Sequence, residues 1–327
     1  MTNMNYKLQN NVGEKETMYP RIEGLSFQKL GTEIDLQIII ENEEQSFSAQ
    51  ADLLEIKKYY NEIEEGFSRF NEKSELSFFN KKIGEFAVAS NEMLEIAKKA
   101  ILYNKITDGF FDPRIVENLE NIGYDKTFDD MKLSENLSNP KPFLLEKNLT
   151  DELLIENDKI CFKRRMDFSG IVKGYATDKM SKILSEKGWK SFLVDSGGDI
   201  FFSGNGIDGK KWRVDIEGIP ERSLLLELTD IGIATSGIGK RKWERNGKRF
   251  HHIINPKNPD NFLFGLQSVT VIDKTTEQAD IWAKTLFLMG KKEGKIFSEE
   301  KNKACVILEY SGSVWISSAA KKYIFSK

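Results

Sequence analysis

The sequence predicts an α+β fold with a largely antiparallel sheet flanked by helices, and two observations carry the prediction. Segments with helical periodicity stand at both ends of a run of short apolar strands. Those strands follow one another without helices between them. At 327 residues the chain has ample length to bury a core of this kind.

Residues 1–25 are polar, lack an apolar signal-type run, and are expected to form a flexible tail ahead of one domain spanning 26–327. "LSFQKLGTEIDLQIII" alternates as a strand or hairpin does. In the next segment Leu53, Leu54, Ile56, Tyr59, Tyr60 and Ile63 recur near helical spacing. "SNEMLEIAKKAILYNKIT" reads as a second amphipathic helix stopped by Asp108-Gly109, and Pro113 marks another helix start. Residues 124–160 are polar and aperiodic, which predicts a surface excursion. "KICFKRRMDFSGI" reads as a strand, then comes a glycine-bracketed loop, then the helix "YATDKMSKILSEKGW". Short strands follow, from "SFLVDSGGDIFFSG" to "GLQSVTVIDK". The helix "EQADIWAKTLFLMGKKEGKIFSEE" and the stretches "ACVILEY" and "SVWISSAAKKYIF" close the chain.

Composition removes several classes of function. A net charge of −3, with lysines interleaved among glutamates, gives no field to gather nucleic acid. No apolar run approaches the length of a membrane span. Cys161 and Cys305 each sit in an apolar stretch, outside any metal-type cluster, and are expected to be reduced and buried. The expected compartment is the cytoplasm, with export or lipid anchoring under a signal absent from this sequence as the alternative.

Four features could carry chemistry. Gly204, Gly206 and Gly209 form a G-x-G-x-x-G string, but a strand pattern follows it where a dinucleotide site needs a helix, so a hairpin turn is expected. In "DFSGIVKGYATDKM" (167–180), Gly170 would let backbone N–H groups approach an anion, and Lys173 would add a mobile charge. A phosphate cradle and a plain tight turn fit that stretch equally well on its own. The only histidines, His251 and His252, are adjacent, so in a strand at most one faces a given site, as a general base or as a structural residue. Asp280, near the start of an apolar helix, suits either a helix-dipole contact or a hard-cation ligand, and Asp112 before Pro113 suits a cap.

Eight stretches run in one order from about residue 27 to near the C-terminus: "LGTEI", "SELSFFN", "DGFFDPRI", "DFSGIVKGYATD", "LVDSGGDIFFSG", "IATSGIGKRKW", "HHIINP" and "EQADIWAKTLFLMG". In this order they resemble the ApbE family of FAD:protein FMN transferases. The resemblance implies an α+β ApbE-like fold, FAD as substrate and Mg2+ as metal. It implies transfer of FMN from FAD to a Thr or Ser hydroxyl of an acceptor flavoprotein through a phosphoester bond, with release of AMP. Metal-dependent hydrolysis of FAD to FMN and AMP, or flavin binding without catalysis, are the competing readings.

Carried over by position, His252 and Lys173 are the implied catalytic residues. Leu30, Phe70, Phe110, Phe111, Asp112, Ser169, Lys173, Tyr175 and Ile253 are implied FAD contacts. Val172, through its carbonyl, and Asp280 are implied metal ligands. One departure stands out. The family places Thr four residues after the metal aspartate, whereas this chain has Lys284 there and Thr285 one step later, about 100° further round a helix. The acceptor is expected to carry a short Ser/Thr motif, and no D-x-x-[ST]-G-A-[ST] sequence occurs in this chain.

Overall fold

The computed structural model describes residues 19–124, 142–220, 223–239, 241–245 and 247–325. Strands β1 (Arg21–Lys29) and β2 (Thr32–Ile40) form the expected hairpin. β1 begins inside the stretch expected to be a tail. As the sheet's edge strand it has one side in water, and its Arg21 and Glu23 pair with each other at 2.8 Å, so its polarity hid it. Residues 1–18 lie outside the described residues.

Helix α1 (Glu44–Phe67) buries Leu53, Ile56, Tyr60 and Ile63 as the periodicity requires, while Leu54 faces solvent. Then come α2 (Glu75–Lys81), the two-residue β3 (Ala87–Val88) and α3 (Asn91–Ile106), whose N-terminus is capped by Ser90. Asp112 caps a 3-10 turn, Pro113–Ile115, that runs into α4 (Val116–Asn121). The expected surface excursion is partly structured. Its residues 125–141 lie outside the described residues, but α5 (Leu149–Glu152) and the hairpin β4 (Leu153–Glu156) and β5 (Lys159–Phe162) follow. Four-residue strands are too short to show a period, which is why they read as aperiodic.

Helix α6 (Ser169–Glu186) leads to β6 (Phe192–Ser196), β7 (Ile200–Ser203), β8 (Trp212–Asp215), β9 (Leu225–Leu228) and β10 (Ile231–Gly237). The hairpin β11 (Lys242–Arg245) and β12 (Lys248–His251) precedes β13 (Leu266–Asp273). Helix α7 (Thr276–Glu300) bends at Gly290, where φ is 76°, and β14 (Ala304–Glu309) and β15 (Val314–Ile316) close the sheet. A 3-10 segment, Ser318–Tyr323, ends the described fold. The glycine string 204–209 is a turn followed by β8, as expected. It is not a hairpin turn, because β7 pairs with β6 and β10 while β8 pairs with β9.

The main sheet is antiparallel throughout in the order β1-β2-β6-β7-β10-β13-β14-β15. Strand alternation sends Ile34, Leu36, Ile38 and Ile40 into one layer with α1, α3 and α6. Further along that helical face, α7 covers Ala234, Val269 and Val271. The opposite face carries Ile39, Leu193 and Ile233 against the β8–β9 ribbon and the last 3-10 segment. Covering both faces brings the N-terminal halves of α6 and α7 side by side, and the polar centre lies there.

Candidate active site

The stretch 167–180 is a helix start, where a loop was expected. The Asp167 carboxylate accepts the Ser169 N–H at 2.8 Å and launches α6, so Gly170, Lys173 and Gly174 all lie in its first two turns. The glycines serve close packing. A Cβ on Gly174 would stand 2.6 Å from Glu277 Cα, and one on Gly170 would stand 3.3 Å from the Phe111 ring and 3.8 Å from Lys284 Cε. Glycine inside a helix costs about 1 kcal/mol relative to alanine, and here the approach of α7 requires it. Sequence punctuation misread a contact as a loop.

Four charged side chains meet where α6, α7 and the β6–β7 turn converge. Lys173 donates to Asp199 Oδ2, and Lys284 donates to Asp280 Oδ1 one helical turn away. Asp199 and Asp280 are 1% and 2% exposed, while the two lysine side chains keep about a quarter of their surface, 25% and 24%. The lysines therefore roof two buried carboxylates. Burial lifts the Asp199 carboxyl to about 6, helped by the nearby Asp280 charge and opposed by Lys173 and Lys284. Burial works to lower the Lys173 ammonium, but Asp199 and Asp280 outweigh it and leave it raised.

Sequence reasoning passed over Asp199. The stretch Ser196–Asp199 is a tight turn with Gly197 and Gly198 at φ 71° and 95°, and a Cβ on Gly197 would overlap Thr32 Oγ1. Gly198 N–H donates to Asp195 at 2.6 Å, so the double glycine delivers Asp199 to a fixed place. An aspartate closing a Gly-Gly turn between two apolar strands was the available signal.

The histidines part as strand neighbours should. His251 is buried at the end of β12, with the rings of Phe262, Phe264 and Phe287 at 5.2, 5.1 and 6.0 Å. His252, half-buried, lies 3.3 Å through Nδ1 from the Arg241 carbonyl oxygen, which as acceptor fixes the proton on Nδ1 and leaves Nε2 with its lone pair. Desolvation, then the Arg241 charge, with smaller pushes from His251 and Lys284, lowers the ring to about 3. Arg241, also missed by sequence, donates to the Gly31 carbonyl at 3.0 Å and so ties the Leu30-Gly31 turn to the His252 segment.

The other expected positions lie at different distances from this centre. Phe111 and Lys284 both lie against Gly170, and Leu30, Arg241 and His252 form a second side of the same region. Ile253 packs in the apolar layer with Ala283, with Phe110 at its margin, and Lys257 lies over the Phe110 ring at 4.8 Å. Phe70, 42% exposed, sits under the Arg69 guanidinium at 4.1 Å and 6.4 Å from Tyr124, at the far end of an aromatic run. Ser169 is exposed at the helix start. Two residues point elsewhere. Tyr175 is two positions, about 200°, round α6 from Lys173 and donates to Glu95 on α3 at 2.9 Å. Asp112 spends its carboxylate on Arg114, at 2.6 Å, and on the cap.

Two oxygens bear on metal binding. Asp199 Oδ1 and Asp280 Oδ2 are buried without a hydrogen-bond partner, which suits a hard cation. Among the described residues no group of three His, Cys, Asp or Glu side chains could hold an ion alone. The residues fit a dication that completes its shell from backbone and ligand oxygens, the usual arrangement for Mg2+ with phosphates. Val172 lies in the first turn of α6, and a helical carbonyl keeps one lone pair beyond its intrahelical bond. Thr285 donates to the Ile281 carbonyl at 2.8 Å and is spent within the helix.

A helix N-terminus and two ammonium groups above paired carboxylates, in a sheet flanked by helices, define an α+β enzyme with a centre suited to phosphate chemistry. Comparison with known proteins supplies the particular: the sequence profile of the ApbE family matches residues 30–308, and the chain belongs to that family. A Vibrio cholerae protein named FAD:protein FMN transferase is 32% identical over 253 residues, 75% of each chain. A Haemophilus influenzae protein of the same name is 29% identical over 284 residues, 82% of each. The crystal structure of the Pseudomonas stutzeri flavinyl transferase ApbE, apo form, superimposes with a TM-score of 0.77 at 19% identity, over 95% of this chain and 100% of that one.

Proposed function

We propose that this protein transfers the FMN moiety of FAD to a Ser or Thr hydroxyl of an acceptor flavoprotein and releases AMP. The observation that supports it most is that the family match, residues 30–308, contains the whole polar centre, in a chain similar to proteins named for this activity. In the transfer, the acceptor oxygen bonds to the phosphorus that carries riboflavin, and the bond from that phosphorus to the AMP oxygen breaks. The hydroxyl proton passes to His252 Nε2. Burial is the main cause of the ring's low basicity, and an anionic pyrophosphate facing His252 would oppose the lesser part that comes from the charges of Arg241 and Lys284.

Lys173 and the N-terminus of α6 meet the non-bridging oxygens. Mg2+, held by Asp280 and Asp199 with the Val172 carbonyl as a further ligand, would neutralise charge on those oxygens. Leu30, Phe110, Phe111 and Ile253 supply apolar surface near the centre, and Phe70 supplies an aromatic face further out for a ring of FAD.

The test is incubation with FAD, Mg2+ and a peptide bearing a D-x-x-[ST]-G-A-[ST] sequence. The expected outcome is a peptide heavier by the FMN phosphoryl group together with an equal amount of AMP. FMN and AMP with an untouched peptide would replace transfer by hydrolysis, and FAD bound but intact would remove both enzyme readings.

A further inference from the structure

Building on the flavin-transferase reading of this centre, we propose that Lys284 is a tethered cation competing with the dication for Asp280. It rests on Asp280 in the ligand-free protein and swings to the anionic ligand when the ion binds. Charge bookkeeping leads there first. Asp199 and Asp280 bring two negative charges and Lys173 and Lys284 two positive ones, so these four side chains balance one another before any ion arrives, with Arg241 adding positive charge nearby. A dication entering beside Asp280 meets positive charge already in place, because an ammonium group stands on each of Asp199 and Asp280.

The geometry selects Lys284 as the group that moves. It shares α7 with Asp280 at i,i+4, so releasing the contact needs only rotation of its four-carbon stem and no backbone shift. Nearly a quarter of its side chain, 24%, faces solvent, which leaves it an exit. Its stem passes the start of α6, where the absent Cβ of Gly170 leaves room 3.8 Å from Lys284 Cε. That places the released ammonium near the helix N-terminus where phosphate oxygens bind best. Lys173, by contrast, holds the separate carboxylate of Asp199 from α6. Asp280 Oδ2 is buried and without a partner, so a first ligand atom stands ready while Oδ1 is guarded. The centre thus couples ion binding to phosphate binding, since the ion frees the very cation that the phosphate receives.

The test measures Mn2+ binding by electron paramagnetic resonance of the free ion, in protein without FAD. K284M, which keeps the stem and removes the charge, is expected to bind Mn2+ at least about tenfold tighter than the unaltered chain. K284R, which keeps a charge, is expected to stay within about threefold of the unaltered chain. D280N should lose the tight site. K284Q, with a folded circular dichroism spectrum as the criterion, serves if K284M does not fold. The proposal falls if the neutral variant gains no affinity, or if K284R gains as much as K284M. FAD binding, followed by flavin fluorescence in the same proteins, separates the two readings. Mn2+ behaviour as expected without FAD binding removes the flavin reading and keeps the competition; FMN transfer with no gain in K284M does the reverse.

Discussion

The chain passes between two unlike regions within a single peptide bond. His251 ends an aromatic run in which Tyr124, Trp243, Phe250 and Phe262 follow one another at ring separations of 6.0, 6.3 and 5.1 Å. His252 faces a centre where buried carboxylates lie beneath lysines. The aromatic region gains from the rings it buries, and it carries a polar cost in His251, whose two ring nitrogens are buried without a hydrogen-bond partner. The charged centre bears a desolvation cost that a better-packed apolar cluster would not have. Two chemically identical side chains, one residue apart, therefore stand in opposite surroundings: the first among the rings of the wall and the second beside the charged centre.

The largest expected effect tests the working side. His252→Ala removes the group proposed to take the acceptor's proton. Its turnover should fall by about 10²–10⁴, the range for loss of a general base. Flavin-fluorescence titration should show FAD affinity unchanged within a few-fold. A collapse of FAD affinity would make His252 a binding residue and erase the contrast with His251.

The next effect tests the wall by pH. Burial depresses the His251 ring to about 4, opposed only in part by backbone contacts at Leu263 and Ile253. An unfolded histidine titrates near 6.5, so the folded state disfavours the charged form. The stability due to the neutral ring is complete above about 6.5 and is lost as pH falls through about 4. That loss is on the order of 3 kcal/mol, the worth of the difference between about 6.5 and about 4. His251→Phe, which stays neutral among the same three rings, should make the stability curve shallower between pH 6.5 and 4, while His252, lowered to about 3, keeps an acid slope of its own. Chemical denaturation at several pH values reads it out. An unchanged acid slope would mean that the loss comes from other groups.

Sequence made the wall and the sheet easier to foresee than the centre. Helices α1 and α3 declare themselves because their apolar residues recur on one face, α7 because it is long and strongly apolar, and the β1–β2 pair because alternation has a period of two. The histidine pair and Asp280 stood out by residue type, the order of the motifs chose His252 over His251, and both His252 and Asp280 lie at the centre. The start of α6 was missed because a glycine reads locally as a break, while its reason is α7, about a hundred residues later in the chain. Asp199 reaches Lys173 across 26 residues, and Arg241 reaches Gly31 across 210, through strand pairings that leave no local period. Tyr175 shows the reverse failure. It lies inside a matching motif, yet helical geometry turns it to α3 and Glu95.

The smallest effect asks whether the two regions are separable at all. Trp243 stacks on Phe250 with planes 24° apart, and its indole N–H donates to the Ile122 carbonyl at 3.0 Å. Trp243→Phe keeps an aromatic face and leaves that carbonyl without its donor, a loss of about 1 kcal/mol for a neutral hydrogen bond. Thermal unfolding should register it as a drop of a few degrees. The Mn2+ and FAD affinities should not move, because no ion pair of the centre passes through the indole. A change in either affinity would show that the position of His252 depends on how tightly the rings behind His251 are packed. The wall would then be part of the catalytic apparatus, and the boundary between the two regions would lie further from the charged centre than one peptide bond.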